Sequence, residues 1–596
     1  MIFITRTCYM RASVICGWLA CMMWLSSCSP RQKIPTGAET EPDSLFSSFQ
    51  LRFLDSFWKE NPGDAIGVGY GKYYDRLPIP DSAWFEQDVA WDEQWLDSLK
   101  TFDYARLSND HQISYRVIEN RLESGIWYTD TFKLQQWDPS GYNIGAGCYY
   151  ILTQPYAPLA ARLRDLSAHL RDAPGYYAAA LQTIRRPSRE YTELAIQQNE
   201  GSLDVFGDGL RDSIRAAALP AAEQDSLQRR ITTAVSAIKA YTASLRKMLT
   251  DKNSDFRDFR IGKDLFRTKF RYDLVTDYSP EEMFAKADSA KKYYHGEMFR
   301  MADSLWIKYG GGQPKPKDSL DLVRIVLDKI ALQHAAPGEV VQVATGMVHR
   351  LEHFIITRDL FDYDSSYPLV VRVMPAFMAG VALANAEFTP PYLSSGTTYY
   401  NVSDLSKLPA AAAESELREY NNYSLQLLSI HEAMPGHCLQ GVYNQKKSNN
   451  RITSVFQNGA MIEGWAVYCE QMMVENGWGD YAPELKLVLY KWRLRELGNV
   501  LVDYGLQCLH WSKEDVQHLL VHETFQEEAQ VAEKYHRASI SQVQLCSYFT
   551  GLTEILSLRD TYKNKMGDRY RLKDFHEQFL SHGSAPVRYI REMMLK

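Results

Sequence analysis

The sequence predicts a mainly α-helical protein with few strands. Apolar residues recur at three- and four-residue steps over 160–184, 222–249 and 280–308, as they do along one face of a helix. Strand-like runs rich in β-branched and aromatic residues are few, and the clearest are 367–373 and 396–402. We therefore expect long helices throughout, with a small β-sheet that includes these two runs.

Length and composition bound the class of protein. A chain of 596 residues exceeds what one core usually supports, so we expect two or three lobes. Hydrophobic residues at 45% and charged residues at 23% are typical of a folded protein. The net charge of −7, without a basic run, argues against nucleic acid as a partner. Nine cysteines are too few for a disulfide framework, and we expect those beyond residue 28 to be mostly unpaired, buried thiols: Cys148, Cys438, Cys469, Cys508 and Cys546.

The first 28 residues have the pattern of an export signal. Two arginines precede an apolar run, Ala12–Leu25, that is shorter than the about 20 residues needed to span a bilayer. Leu25-Ser26-Ser27-Cys28 resembles the lipobox of bacterial lipoproteins, in which Cys28 becomes the lipidated first residue; the alternative is a plain signal with a chance cysteine. We expect a signal peptide over 1–27 and a lipidated, solvated tether over 28–47. The protein would then reside in the bacterial cell envelope, on the periplasmic side or outer membrane, and touch the membrane through this anchor only.

The residues that carry chemistry are concentrated between His431 and His437. A His-Glu pair followed by a second His is the outline of a zinc hydrolase helix, in which two imidazoles hold the ion and Glu432 takes a proton from the attacking water. In HExxH the histidines are four residues apart, whereas His437 lies six residues after His431, about 120° further round a regular helix. Because Pro435 lacks a backbone donor and Gly436 permits unusual dihedrals, we expect a break there that returns His437 to the side of His431.

Glu463 is the predicted third ligand. It lies on a mainly apolar face of the next predicted helix, where a carboxylate needs a cation or a hydrogen-bond donor. Three protein ligands leave a fourth position open, as catalytic zinc sites require. The residues thus predict one Zn²⁺ held by His431, His437 and Glu463, with Glu432 as general base. Glu470, on the same helix, is expected to be a supporting or surface group rather than a ligand.

A second string of histidines competes with this site. His349-Arg350-Leu351-Glu352-His353 fits the inverted HxxEH pattern of other zinc peptidases, and its histidines are four residues apart. However, no carboxylate in a similar context stands on a flanking apolar helix, and 347–356 has the pattern of an ordinary amphipathic helix. We keep it as the weaker alternative.

Two blocks around the predicted ligands, 431–440 and 463–470, resemble the signature of domain-of-unknown-function family 885. These bacterial proteins are grouped with the gluzincin metallopeptidases, such as thimet oligopeptidase and carboxypeptidase Taq. The resemblance continues in the segments 396–401, 502–506, 547–551, 558–559 and 575–580. It implies a large, helical, two-lobed fold around a deep cleft, with a small β-sheet near the active site. The N-terminal helical half would span 48–280 and the catalytic half 281–596.

The same resemblance implies roles for residues outside the metal site. Tyr548 would donate a hydrogen bond to the tetrahedral oxyanion, and Arg559 would hold a substrate carboxylate or the cleft wall. The strand that contains Tyr399 and Tyr400 would bind substrate by pairing with its backbone as an added edge strand. The chain departs from the family pattern at Gln507, where a histidine is expected.

The function that these features favour is hydrolysis of peptide bonds of small peptides by a zinc-dependent metallopeptidase in the cell envelope. Two alternatives stay open. The protein could be a non-catalytic binding lipoprotein on the same fold, or a zinc amidohydrolase that acts on non-peptide amides.

Overall fold

The computed structural model describes residues 41–596, except 365–367, 376–382, 394–395, 447 and 449. The predicted signal peptide, the predicted lipidation site Cys28 and most of the predicted tether therefore lie outside the described residues. Within the described part, no helix is both long enough and apolar enough to cross a bilayer.

Helices dominate the chain, which confirms the predicted fold class. Up to residue 279 they are α1 (Glu41–Glu60), α2 (Pro62–Gly67), α3 (Ser82–Lys100), α4 (Asn109–Trp127), α5 (Leu134–Trp137), α6 (Gly145–Thr153), α7 (Leu159–Arg171), α8 (Ala173–Thr183), α9 (Arg189–Gly201), α10 (Asp208–Ala216), α11 (Ala221–Thr250) and α12 (Gly262–Leu274). From residue 280 onward they are α13 (Pro280–Tyr309), α14 (Ser319–Ala331), α15 (Val340–Thr357), α16 (Ala410–Glu419), α17 (Ser424–Glu432), α18 (His437–Lys446), α19 (Arg451–Val455), α20 (Gly459–Glu475), α21 (Pro483–Leu509), α22 (Lys513–Gln517), α23 (Ala529–Ile540), α24 (Ser547–Met566), α25 (Leu572–Ser581) and α26 (Val587–Leu595).

The helices begin where local sequence favours a start. At α13, the Ser279 side chain accepts from the backbone N–H of Glu282 at 3.1 Å, and Glu282 accepts from the Ser279 N–H at 2.7 Å, with Pro280 at the first helical position. The three segments with predicted helical periodicity correspond to α7 with α8, to α11 and to α13. Periodicity alone was therefore sufficient to locate these helices.

The small sheet has three strands: β1 (Leu369–Val373), β2 (Ala384–Glu387) and β3 (Thr398–Val402). Their order is β1-β3-β2, with β1 parallel and β2 antiparallel to β3. The two predicted runs form β1 and β3, whereas β2, Ala-Asn-Ala-Glu, carries no β-branched residue that would have indicated a strand. Because β3 is the central strand and is paired on both edges, the prediction that it adds to a substrate backbone as an edge strand is wrong; β2 has the outer position.

The core is a continuous set of buried apolar side chains that extends from Phe46 to Met594. Its centre includes α20 and α21, which are buried around almost their whole circumference. The predicted division of the chain near residue 280 stays a prediction. All five described cysteines are free and buried, as predicted.

Candidate metal centre

The helix that carries the first histidine is interrupted where the sequence predicted a break. α17 ends at Glu432 and α18 begins at His437. The backbone N–H of Gly436 donates to the carbonyl of Ile430 at 2.9 Å, and a Cβ at Gly436 would lie 1.9 Å from the carbonyl oxygen of His431. Only glycine fits this approach. Trp465 of α20 donates its Nε1–H to the carbonyl of Pro435 at 3.1 Å and so holds the break against the next helix.

The break brings His431, His437 and Glu463 together. Nε2 of His431 lies 3.6 Å, and Nε2 of His437 3.5 Å, from Oε2 of Glu463. The two imidazole rings lie 4.8 Å apart between centroids and are nearly perpendicular. Among the described residues, this is the one group of three or more His, Cys, Asp or Glu side chains whose donor atoms converge within 4.8 Å.

The donor set fits a zinc ion. Ligand atoms bonded at about 2.0–2.2 Å to a tetrahedral ion are separated by about 3.3–3.6 Å, which matches the two distances to Glu463. The side chains of His431, His437 and Glu463 are 11%, 10% and 21% exposed, so the group is shielded but reachable. Two imidazoles and a carboxylate are also the ligand types of a catalytic zinc site.

Glu470 orients the first histidine. It is fully buried two turns after Glu463 on α20, and its Oε1 lies 2.8 Å from Nδ1 of His431. With Nδ1–H donated to this carboxylate, Nε2 faces Glu463 and would bind a metal ion on loss of its proton. The other oxygen of Glu470 lies 3.3 Å from the buried guanidinium of Arg493, which is also paired with Glu496 at 2.6 Å. By contrast, Nδ1 of His437 is buried and has no hydrogen-bond partner in the described part of the chain.

Electrostatics keep the third ligand ionised. Burial opposes ionisation of Glu463, but the two neighbouring imidazoles outweigh it and hold the pKa of the carboxyl well below its ordinary value. Burial likewise opposes protonation of His431, but Glu463 and Glu470 hold its pKa well above the usual value. Glu463 is therefore a carboxylate at neutral pH, as a metal ligand must be.

Glu432 lies between this group and the sheet. It is the last residue of α17 and is half-buried. Burial raises the pKa of Glu432, an effect that the charges of His437 and His431 oppose, and the backbone N–H of Ala386 in β2 donates to its carboxylate. The predicted general base thus has the predicted ligands on one side and the outer strand on the other.

Close contact between α20 and α24 places Tyr548 beside Glu463. A Cβ at Gly551 would lie 1.8 Å from the carbonyl oxygen of Ala460, and one at Gly464 would lie 2.4 Å from the carbonyl carbon of Gly551. The helices can therefore touch backbone to backbone only because both positions are glycine. Tyr548, one turn before Gly551, has its pKa raised to about 12 by burial and by the charge of Glu463.

A groove with a volume of about 1020 Å³ runs beside the candidate centre. Its walls include Ala386, which donates to Glu432, and Ile462, which precedes Glu463. Tyr149 and Tyr150 of α6 also line the groove, so the N-terminal half contributes to it. The volume lies at the upper end of the range for ligand pockets, about 300–1,000 Å³.

The two predicted substrate-binding tyrosines have different environments. Tyr399 is half-buried, lines the groove and lies under the guanidinium of Arg372, 3.6 Å from its ring centroid. Tyr400 is fully buried, and its hydroxyl lies 3.2 Å from the hydroxyl of Ser429 in α17. The prediction for Tyr400 needs correction, since a side chain sealed beneath α17 supports the helix of His431 and does not face a substrate.

Arg559 is not part of this group. Its Nη1 lies 2.8 Å from Glu475, and its guanidinium lies over the ring of Tyr468. Glu475 is twelve residues after Glu463 on α20, about 18 Å along the helix axis. The substrate-binding role predicted for Arg559 is corrected accordingly, because its charge is used in an ion pair at the far end of the helix.

The competing HxxEH string does not form a metal group among the residues described. His349 is 74% exposed and His353 is also exposed. Glu352 accepts a hydrogen bond from Tyr363 at 2.6 Å. α15 is thus an amphipathic helix whose histidines face solvent.

The sequence analysis did not identify two arginines that lie near the site. Arg493 is one of several charged residues of α21, and no local pattern marks it as the partner of a buried carboxylate. Arg537 lies next to Tyr548, with Nη2 donating to the phenol oxygen at 3.1 Å. No local pattern in α23 distinguishes it from a surface arginine.

Comparisons with known proteins agree with this architecture. The family model described as "Bacterial protein of unknown function (DUF885)" matches residues 62–594. A solved structure titled as a "putative lipoprotein of unknown function" from Shewanella oneidensis is 38% identical, with a TM-score of 0.83, and covers 92% of this chain and 100% of that chain. The crystal structure of a "putative lipoprotein" from Colwellia psychrerythraea shares the fold. It is 17% identical, with a TM-score of 0.75, and covers 93% of this chain and 98% of that chain. No curated protein matches the chain. With most of its length matched by the family model, the chain belongs to the DUF885 family of bacterial proteins.

Proposed function

We propose that the protein is a zinc-dependent metallopeptidase, of the gluzincin type, that hydrolyses peptide bonds of small peptides. The observation that carries the proposal is the convergence of His431, His437 and Glu463, with donor atoms 3.5–3.6 Å from the central carboxylate oxygen and Glu432 adjacent in the chain. A buried group of this composition beside a large groove suits hydrolysis better than structural metal binding, because the described residues supply only three protein ligands.

Each neighbouring residue has a chemical task in this proposal. His431, His437 and Glu463 would hold one zinc ion, which when bound lowers the pKa of a water molecule and polarises the scissile carbonyl. Glu432 accepts a proton from the attacking water and delivers it to the leaving amine. Tyr548 donates its phenol proton in a hydrogen bond to the developing oxyanion. The outer edge of β2, which in the described residues pairs with β3 alone, offers backbone groups to an extended peptide in the groove.

The proposed location is the bacterial cell envelope, with Cys28 as a lipid anchor. Both solved relatives are titled putative lipoproteins, and Leu25–Cys28 resembles a lipobox. Membrane fractionation of the full chain and of Cys28→Ala would test the anchor. The variant is expected in the soluble fraction, and an unchanged membrane fraction would contradict lipidation at this residue.

The test of function combines metal analysis with cleavage. We expect purified protein to hold about one zinc per chain and to cleave members of a peptide library, read by mass spectrometry, until a chelator is added. Glu432→Gln should retain zinc and lose activity by roughly 10²- to 10⁴-fold, whereas His431→Ala should lose both.

Glu352→Gln, in the solvent-facing HxxEH string, is the matched control and should behave like the wild type. An unchanged rate in Glu432→Gln would eliminate the proposed base. Zinc without cleavage of any peptide would favour a zinc amidohydrolase, and absence of both zinc and cleavage a binding lipoprotein.

A further inference from the structure

Arg537 lies next to the candidate site, and in the described part of the chain only one nitrogen of its guanidinium donates hydrogen bonds. Its Nη2 donates to the phenol oxygen of Tyr548 at 3.1 Å and to Oε1 of Gln544 at 2.9 Å, both of which are uncharged. No carboxylate pairs with it among the residues that the structure describes, and its Nε and Nη1 are neither hydrogen-bonded nor sealed from solvent. Since arginine keeps its charge and carries five N–H donors, the charged donors on Nε and Nη1 remain available beside Tyr548.

Two further basic side chains, Lys534 and Arg495, lie near Arg537. Lys534, one turn earlier on α23, is buried, and burial together with the charges of Arg495 and Arg537 holds its pKa well below the usual value. Of the nearby acidic groups, Glu419 already pairs with a lysine at 2.7 Å and with Arg495 at 3.7 Å, and Glu533 is exposed. Glu463, which acts on Tyr548, is paired with the two imidazoles. The charge of Arg537, which no carboxylate in the described part of the chain pairs with, would therefore favour an anionic group of a ligand.

The distance to the reacting centre limits where that anion would be in a substrate. A carboxylate bonded at about 2.8 Å to the free Nε or Nη1 of Arg537, each about 2.3 Å from Nη2, would lie within about 8 Å of the Tyr548 oxygen. One residue of extended peptide spans at most about 3.6 Å. The anion is therefore one or two residues beyond the carbonyl that Tyr548 contacts, on the same chain.

We propose that Arg537 binds the free C-terminal carboxylate of a short peptide, so that one or two residues are released from its carboxyl end. The inference rests on the proposed peptidase function and narrows its substrates to peptides with a free carboxyl terminus. Arg537 takes the role for which Arg559, paired with Glu475, is not available.

The test compares one cleavable peptide, taken from the library digestion, as the free acid and as its C-terminal amide. The full-length wild type should prefer the acid by roughly 10- to 100-fold in kcat/KM, mainly through KM. In Arg537→Gln, kcat/KM for the acid should fall by that factor and kcat/KM for the amide should change little, so that the preference disappears. Arg537→Lys should keep part of the preference that Arg537→Gln loses, because lysine keeps the charge but lacks the guanidinium.

Arg591→Gln is the matched control, because Arg591 also donates to neutral oxygens of α24, at Ser557 and Thr561. It should keep the preference for the acid. An equal loss on acid and amide in Arg537→Gln would show that Arg537 acts only through Tyr548, and would overturn the inference. If this variant does not fold, an equal loss on acid and amide in Arg537→Lys would overturn it in the same way. Equal cleavage of the acid and the amide by the wild type would overturn the inference alone. Cleavage of neither peptide would overturn the proposed function as well.

Discussion

At the scale of single residues, the candidate centre depends on carboxylates whose charge is held by specific partners. Glu470 is fully buried, and its two oxygens are used by the imidazole of His431 and the guanidinium of Arg493. A buried charge without such partners would be strongly destabilising. Glu470 therefore fixes the orientation of the His431 ring.

Removal of the Glu470 charge is predicted to weaken zinc binding. Glu470→Gln keeps the shape of the side chain but makes the hydrogen bond to His431 weaker, and roughly a 10-fold loss of zinc affinity is expected. Competition titration with a chromophoric chelator measures it. Glu475→Gln, at the exposed end of the same helix, should bind zinc like the wild type, and equal affinities for all three proteins would count against the orienting role.

Tyr548 is predicted to act in the chemical step. Tyr548→Phe removes one donor to the oxyanion and should lower kcat by roughly 100-fold, with zinc content unchanged. Steady-state kinetics on a cleavable peptide give the value. Tyr562→Phe, a buried tyrosine further along α24, is the control; a kcat for Tyr548→Phe within threefold of the wild type would refute the assignment.

At the scale of elements, the site is assembled by two close contacts between helices. Gly436 permits α17 and α18 to meet at an angle, because any side chain there would collide with the carbonyl of His431. Gly464 and Gly551 permit α20 and α24 to touch, which sets Glu463 beside Tyr548. These backbone approaches position three candidate metal ligands and a proposed catalytic tyrosine that belong to four different helices.

The contact between α20 and α24 is predicted to be intolerant of a single methyl group. In Gly551→Ala the added Cβ would lie 1.8 Å from the backbone oxygen of Ala460, so the helices must separate. The free energy of unfolding should fall by about 2 kcal/mol or more. Denaturant titration tests this, with Gly459→Ala as the control, since a Cβ there meets nothing within 4 Å and should change stability by less than about 1 kcal/mol.

At the scale of the whole molecule, the groove joins parts of the chain that are far apart in sequence. Residues of α6 from the N-terminal half, of β2 and of α18 line it together. The buried apolar cluster likewise includes side chains from both halves. Stability of the whole protein and integrity of the site are therefore coupled.

Buried carboxyls are predicted to make stability depend on pH. Burial raises the pKa of Asp503 to about 7 from an ordinary value near 3.8, and one of its oxygens has no hydrogen-bond partner among the residues described. The folded state therefore binds this proton more tightly than the unfolded state. Its contribution to stability is fully present below about pH 4, is lost as the pH rises towards 7, and leaves a constant penalty above that.

The Asp503→Asn variant should remove this contribution. Its Tm, relative to that of the wild type, should be higher at pH 8 than at pH 5.5, as measured by differential scanning calorimetry. Asp560→Asn, exposed on α24, should show the same offset from the wild type at both pH values. An equal Tm difference between Asp503→Asn and the wild type at both pH values would mean that the carboxyl does not titrate in this range.

Local pattern was enough for the helical class, for the positions of the long helices and for the interruption at Pro435-Gly436, since each depends on residues close together in the chain. The candidate ligands could also be named from their chemical type and spacing, and the fold brings them together. Other features depend on contacts between distant segments: the central place of β3, the burial of Tyr400, the pairing of Arg559 with Glu475 and the approach of Arg537 to Tyr548. Strand order and contacts between helices arise from packing of surfaces that are remote in the chain, and only the tertiary structure decides them.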